Sequence, residues 1–233
     1  MKRILRITVI YLLVFSAVIA IAVSGSRFAT VMSEQQPLPN RKCVIIDAGH
    51  GGVDGGATSC TGVLESQINL EIALRLDEVM HLLGIHTLMI RTDDRSVYIE
   101  GESIAAKKVS DLKERVRIVN STEDAVLISI HQNHFADRQY HGAQVFYGKG
   151  QGSSELATAL QKNLIATVNP NSKRNIKRAS GIYLLKKVDC SAVLIECGFL
   201  SNPEEESKLR SAEYQKKLCC VIATTVSLYL SNT

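Results

Sequence analysis

The sequence predicts a single α/β domain in which helices flank a mainly parallel, wound sheet. Short apolar runs alternate along the chain with segments that repeat apolar residues at helical spacing, which is the order of parallel strands joined by crossover helices. The run from Cys43 to Ile46 is apolar without interruption, as expected for a strand buried on both faces. A composition of 45% apolar and 21% charged residues is that of a globular protein.

The elements are predicted in chain order. After the strand that begins at Cys43, Ser66 caps a helix whose apolar stripe runs from Ile68 to Leu83 and which ends at Gly84. Further strands are predicted at 86–90, 125–130, 143–147, 181–185 and 192–195. Further helices are predicted at 111–120, 153–168 and 214–230, with a long polar connection at 91–110 and a basic loop at 173–178.

The N-terminal segment differs from the rest of the chain in charge and hydropathy. Lys2, Arg3 and Arg6 precede an apolar run from Ile7 to Val23, a pattern typical of a secretory signal or of a membrane anchor. We therefore expect a signal peptide or N-terminal membrane anchor at 1–25, a proline-containing linker at 26–41 and the folded domain at 42–233. Either form of the segment exports the domain across the cytoplasmic membrane, and an uncleaved segment holds it there.

The charge of the folded domain gives no indication of nucleic-acid binding. Much of the net charge of +4 lies in the N-terminal segment, so the domain is nearly neutral and has no basic composition of the kind that nucleic-acid-binding domains show. We expect no nucleic-acid partner. We also expect most of the six cysteines to be free, because no C-x-x-C pair occurs and a domain of this size does not depend on disulfides.

Residues able to bind metal or move protons follow three of the predicted strands. His50 lies after the first strand, His131 after the third and Glu196 after the last, and Glu65 precedes the first helix. Two histidines and one carboxylate form an open catalytic zinc set, and a further carboxylate serves as general base. The spacing alone leaves other interpretations open: a tight turn or phosphate loop at 47–52, helix stabilisation by Glu65, and an ion pair of Glu196.

Five segments carry a specific resemblance to a known family. They are Ile46 to Ala57, Leu64-Glu65, Leu112 to Asn120, Ile128 to His131 and Leu194 to Pro203. In this order they resemble the zinc-dependent N-acetylmuramoyl-L-alanine amidases of the Amidase 3 family, and they cover nearly all of 42–230. The resemblance implies that 42–233 is an amidase catalytic domain, that His50, Glu65 and His131 bind Zn²⁺, and that Glu196 is the catalytic glutamate.

The resemblance also implies a substrate and a location. The family hydrolyses the amide between N-acetylmuramic acid and L-alanine in peptidoglycan glycan strands that carry stem peptides. The short leader and the segment from Gly181 to Leu185 are similar to those of germination-specific spore amidases, which strip stem peptides so that muramic lactam can form in the cortex. We then expect the protein in the intermembrane space of a developing spore.

A partner protein is also expected. The glycine-rich segment from Gly51 to Gly62 precedes Glu65, and ordering such a segment costs backbone entropy, so a partner in the spore envelope could order the zinc site and activate the enzyme. The alternatives are a zinc peptidase acting on the stem peptide and a non-catalytic wall-binding protein. His134 departs from the family pattern, which leaves a loop residue, a substrate contact or a second ligand as its role.

Overall fold

The computed structural model describes residues 42–233, and a six-stranded sheet forms its centre. The strands are β1 (Cys43–Ala48), β2 (Thr87–Met89), β3 (Ala125–Asn133), β4 (Gln144–Tyr147), β5 (Lys177–Arg178) and β6 (Ser191–Phe199). They lie side by side in the order β2-β1-β3-β6-β4-β5. The pairs β1–β2, β1–β3, β3–β6 and β4–β5 are parallel, and β4 is antiparallel to β6. The predicted wound and mainly parallel sheet is therefore confirmed.

Helices cover both faces of this sheet. They are α1 (Glu65–Leu82), α2 (Ile104–Asn120), α3 (Ser153–Thr167), α4 (Tyr183–Lys187), α5 (Pro203–Leu209) and α6 (Ala212–Ser231). One apolar core packs α1, α3 and α6 against one face, with side chains such as Ile72, Leu160 and Ile222 at its centre. A smaller core on the other face packs Val119 of α2 and Leu185 of α4 against Leu127 of β3.

Two of the predicted elements are wrong in type. The segment 181–185 is not a strand, because Lys186 N–H donates to the carbonyl of Ile182 and closes a helical turn that buries Leu184 and Leu185 under the sheet. The adjacent edge position is taken by Lys177–Arg178, which the sequence predicts as loop.

Other boundaries differ by more than a turn. The helix predicted to begin at Asp111 begins at Ile104, because the Ser103 side chain accepts a hydrogen bond from Ala106 N–H and caps it there. The helix α5 was not predicted, although Asn202 followed by Pro203 and three glutamates is a helix-start pattern. The first helix begins at Glu65 and has no side-chain cap, so the predicted cap at Ser66 is wrong, because Ser66 lies inside the helix.

Some predictions fall outside the part of the chain that the structure describes. These are the signal peptide or anchor at 1–25 and the linker at 26–41. Among the helices of residues 42–233, none combines the length and the hydropathy that crossing a bilayer requires.

Candidate metal centre

Polar side chains gather at the carboxyl ends of β1, β3 and β6, which are neighbours in the middle of the sheet. His50 follows β1, His131 lies in β3 and Glu196 lies in β6. The register pairs His131 directly with Glu196. The crevice outside the carboxyl ends of strands is where α/β sheets commonly bind ligands. The wound sheet thus brings together residues that are far apart in the sequence.

Glu65 is the buried centre of this group. It is the first residue of α1 and only 4% exposed, whereas the sequence places it on the loop ahead of the helix. Its Oε1 accepts a hydrogen bond from Gln132 N–H at 3.1 Å, and its Oε2 accepts one from Ala57 N–H at 3.0 Å. Burial raises the pKa of a carboxyl group, but hydrogen bonds with the imidazoles of His131 and His50 outweigh it and hold the pKa of Glu65 well below its ordinary value.

The two imidazoles flank Glu65 on opposite oxygens. His50 Nε2 lies 3.3 Å from Oε2, and His131 Nδ1 lies 3.1 Å from Oε1. One donor atom from each of the three side chains lies within 4.8 Å of the other two. Such a set of two imidazoles and a carboxylate can bind one metal ion. The predicted trio is therefore brought together in space.

His50 has a second partner on its other ring nitrogen. Its Nδ1 lies 2.9 Å from Oδ2 of Asp54, whose Oδ1 accepts a hydrogen bond from Lys108 Nζ at 2.8 Å. A carboxylate on the far nitrogen orients a metal-binding imidazole and leaves Nε2 for the metal. The sequence assigns Asp54 no role, although it lies four residues after His50 within the segment that carries the family resemblance.

Two buried arginines brace the backbone that carries His50. Arg91 donates hydrogen bonds to the carbonyl oxygens of Ala48 and Gly49 at 2.9 and 3.0 Å. Arg115 donates to those of Ala48 and His50 at 3.0 and 2.8 Å. His50 has a φ of 60°, a left-handed conformation that costs a non-glycine residue about 1–2 kcal/mol. We infer that the arginines offset this cost. Sequence analysis does not reveal them, because their partners are backbone atoms distant in sequence.

Glu196 differs from Glu65 in having an unsatisfied oxygen. Its Oε2 is buried and makes no hydrogen bond with any described residue. Burial raises the pKa of Glu196 to about 7, and this rise outweighs the opposing electrostatic effect of the neighbouring His131. A carboxyl group with a pKa near neutrality can both accept and return a proton. Its free oxygen indicates a partner that residues 42–233 do not supply.

The remaining histidines and the cysteines are not part of the centre. His134 is exposed on the loop after β3 and does not belong to the metal-binding group found among residues 42–233. His81 contacts Asp77 at 3.4 Å on the surface of α1. All six cysteines are free, as expected.

Comparisons with known proteins identify a family and a similar protein. Residues 44–227 match the model of the family Amidase_3, described as N-acetylmuramoyl-L-alanine amidase. A germination-specific N-acetylmuramoyl-L-alanine amidase of Bacillus subtilis (strain 168) is 36% identical over 193 residues, which are 82% of this chain and 81% of that protein.

Two solved structures are similar in fold and sequence. The CwlD amidase from Clostridioides difficile, in complex with the GerS lipoprotein, is 39% identical with a TM-score of 0.79, over 82% of this chain and all of that one. An N-acetylmuramoyl-L-alanine amidase from Clostridium difficile 630 is 33% identical with a TM-score of 0.72, over 83% of this chain and 99% of that one. The family match covers most of the chain, and the chain therefore belongs to the Amidase_3 family of N-acetylmuramoyl-L-alanine amidases, which act on peptidoglycan.

Proposed function

We propose that the protein is a zinc amidase that removes stem peptides from muramic acid in spore cortex. It would hydrolyse the amide between the lactyl carbonyl and the nitrogen of L-alanine. The observation that carries this proposal is the convergence of His50, Glu65 and His131 beside the unsatisfied carboxylate of Glu196. The cortex role is supported by the similarity to a germination-specific amidase.

The donor set fits zinc. Two imidazoles and one carboxylate would supply three protein ligands and leave room for water or substrate, the ligand set of many catalytic zinc sites. A zinc ion held by these residues would polarise the scissile carbonyl and acidify the attacking water. Asp54 orients His50, and the backbone N–H groups of Ala57 and Gln132 donate hydrogen bonds to the carboxylate of Glu65.

Glu196 would be the general base and then the general acid. With a pKa of about 7, its carboxylate takes the proton from the attacking water and returns it to the nitrogen of L-alanine as the amide bond breaks. A cation bound beside it would oppose this rise in pKa and favour the ionised form at neutral pH. His131 and Glu196 are paired across β3 and β6, so one register fixes the distance between ligand and base.

The proposal includes a location and a partner. We propose that 1–25 export or anchor the chain, that 26–41 link this segment to the amidase domain at 42–233, and that the enzyme works outside the cytoplasmic membrane. The similar amidase from Clostridioides difficile was solved in complex with a lipoprotein. We propose that a lipoprotein of the spore envelope likewise binds this chain and orders the zinc site.

A matched pair of variants tests the assignment. Glu196→Gln should bind one zinc ion per chain and lose at least about a hundredfold in turnover, because the amide cannot accept a proton. His131→Ala, the control, should lose zinc and activity together. Zinc content and release of L-alanine amino termini from muropeptides are measured for both. Near-normal turnover by zinc-loaded Glu196→Gln would contradict the role of Glu196, and new termini inside the stem peptide would indicate a peptidase instead.

A further inference from the structure

A basic segment at the edge of the sheet has no role in the chemistry described above. Residues 169–188 contain six lysines and arginines and no acidic residue: Lys173, Arg174, Lys177, Arg178, Lys186 and Lys187. None of these six makes an ion pair with another residue of the described domain. The domain is nearly neutral as a whole, so this unpaired charge is a local feature.

Arg174 is the member of the segment that the protein holds in place. Its Nε donates a hydrogen bond to the carbonyl oxygen of His141 at 2.9 Å, and its Nη1 lies 3.4 Å from Oε1 of Gln144. The guanidinium carbon lies 4.7 Å from the centre of the Phe199 ring. Within the described residues, Nη2 makes no hydrogen bond. The free edge formed by Nη1 and Nη2 is the edge with which arginine binds a carboxylate through two hydrogen bonds.

This guanidinium contacts the strand next to the one that carries the proposed base. The register pairs His131 with Glu196 and Glu196 with Gln144, so the three form one row across β3, β6 and β4. Directly paired residues project from the same face of a sheet, and neighbouring strands are about 4.8 Å apart. Arg174 contacts Gln144 and therefore lies two positions beyond the proposed base along this row, with Gln144 between them.

We propose that Arg174 binds a free carboxylate of the stem peptide and so selects acidic peptides and sets their register at the site. The inference rests on the proposed amidase function. The peptide that leaves extends from the scissile nitrogen, and its acidic residue next to L-alanine bears a free carboxylate unless it is amidated. A guanidinium fixed on three sides loses little side-chain entropy when it binds, which suits recognition better than the exposed lysines nearby do.

The test uses zinc-loaded full-length protein and two muropeptides. They differ only in whether the acidic residue after L-alanine carries a free carboxylate or a carboxamide. Wild type should hydrolyse the acid with a kcat/KM about 10- to 100-fold higher than that for the amide, the range that a charged hydrogen-bonded pair gives. Equal kcat/KM for the two substrates in wild type would overturn the proposal without any variant.

Variants then locate the effect. Arg174→Gln should raise KM for the acid about 10- to 100-fold with kcat within twofold, and should leave KM for the amide within twofold. Arg174→Lys should lie between the two, and Lys173→Gln, the matched exposed control, should behave as wild type. Equal losses on both substrates in Arg174→Gln, or the same selectivity loss in Lys173→Gln, would contradict the role of Arg174. If wild type releases no L-alanine terminus from either substrate, the proposed function itself has failed.

Discussion

Gly56 allows the ligand side chains to approach the backbone after β1. It has a φ of +68°, and a Cβ built on it would lie 2.6 Å from Oε2 of Glu65 and 2.7 Å from Cδ2 of His50. Any side chain at this position would therefore displace two of the three proposed ligands. Gly62 on the same loop also has a positive φ, +92°, but nothing lies within 4 Å of the Cβ it would carry. A substitution at either glycine would strain the backbone, but only one at Gly56 would also crowd the ligand side chains.

This pair gives a prediction at the residue scale. Both Gly56→Ala and Gly62→Ala should destabilise the domain by about 1–2 kcal/mol through the left-handed backbone, with a further loss in Gly56→Ala from the clash. Only Gly56→Ala should also weaken zinc binding, by about 10- to 100-fold, because it displaces the ligands. Urea unfolding measures the first effect and competition with a chelator measures the second. Equal zinc affinities in the two variants would show that the loop adapts to a methyl group.

The four residues of the candidate site could be predicted from the sequence, but the residues that orient them could not. His50, Glu65, His131 and Glu196 lie in segments with a specific family resemblance, and the structure brings all four to one edge of the sheet. Residue types and spacing alone leave other interpretations open, because the four come from separate elements. Residues that orient them were missed. Arg115 acts through backbone carbonyls 65 or more positions away, a relation that no local pattern encodes.

At the scale of elements, a buried ion pair joins β1 to α2. Arg115 donates hydrogen bonds to the carboxylates of Asp47 and Asp111, and Ser129 donates one to Asp47 at 2.6 Å. Asp47 is 1% exposed and Arg115 is 2% exposed. Burial raises the pKa of Asp47, but the charge of Arg115 and the hydrogen bonds outweigh it and hold the pKa of Asp47 below its ordinary value. This link fixes the strand that leads to His50.

The lowered pKa predicts a pH dependence. A carboxyl group with a depressed folded-state pKa stabilises the fold above its unfolded pKa, near 3.9, and this contribution is lost as the pH falls through the lower folded value. The free energy of unfolding of wild type should therefore decline below about pH 4. Asp47→Asn should cost about 3–5 kcal/mol at neutral pH, because Arg115 loses a buried partner, and should flatten the acid dependence. Glu204→Gln, which removes an exposed pair with Lys208, is the control and should change neither. An unchanged acid profile in Asp47→Asn would contradict this origin.

Element types were predictable where the pattern was long. Strands with continuous apolar runs, such as β1 and β3, and helices with several turns of apolar spacing, such as α6, occur where predicted. The type of the short segment that contains Leu184 and Leu185 could not be predicted, because two adjacent buried leucines fit either a buried strand or one helical turn. Tertiary packing decides such cases, since the edge of the sheet is already filled by Lys177–Arg178.

At the scale of the whole molecule, the site depends on the assembled sheet. The proposed ligands come from the loop after β1, from α1 and from β3, and the proposed base comes from β6. No two of them are held by one continuous element, so the centre forms only when β1, β3 and β6 lie side by side. The two apolar cores that hold the sheet also bury three of the six cysteines, which makes these thiols reporters of the same folded state.

The cysteines give the last prediction. Cys60 and Cys220 are exposed, whereas Cys43, Cys197 and Cys219 are buried. Burial raises the pKa of Cys219 to about 12 and raises that of Cys197 well above its ordinary value, so neither presents a reactive thiolate at neutral pH. A thiol reagent should modify Cys60 and Cys220 rapidly in the native protein and the buried three only through unfolding.

Mass spectrometry of the labelled protein checks this count and order. Denaturation without a reductant should expose all six cysteines as free thiols, and prior reduction should add none. Mild urea should speed labelling of Cys197 and Cys219 together, because both lie in the core between the sheet and α6 and open in the same transition. Fewer than six thiols before reduction would reveal a disulfide, and independent labelling rates for Cys197 and Cys219 would show that this core does not unfold as one unit.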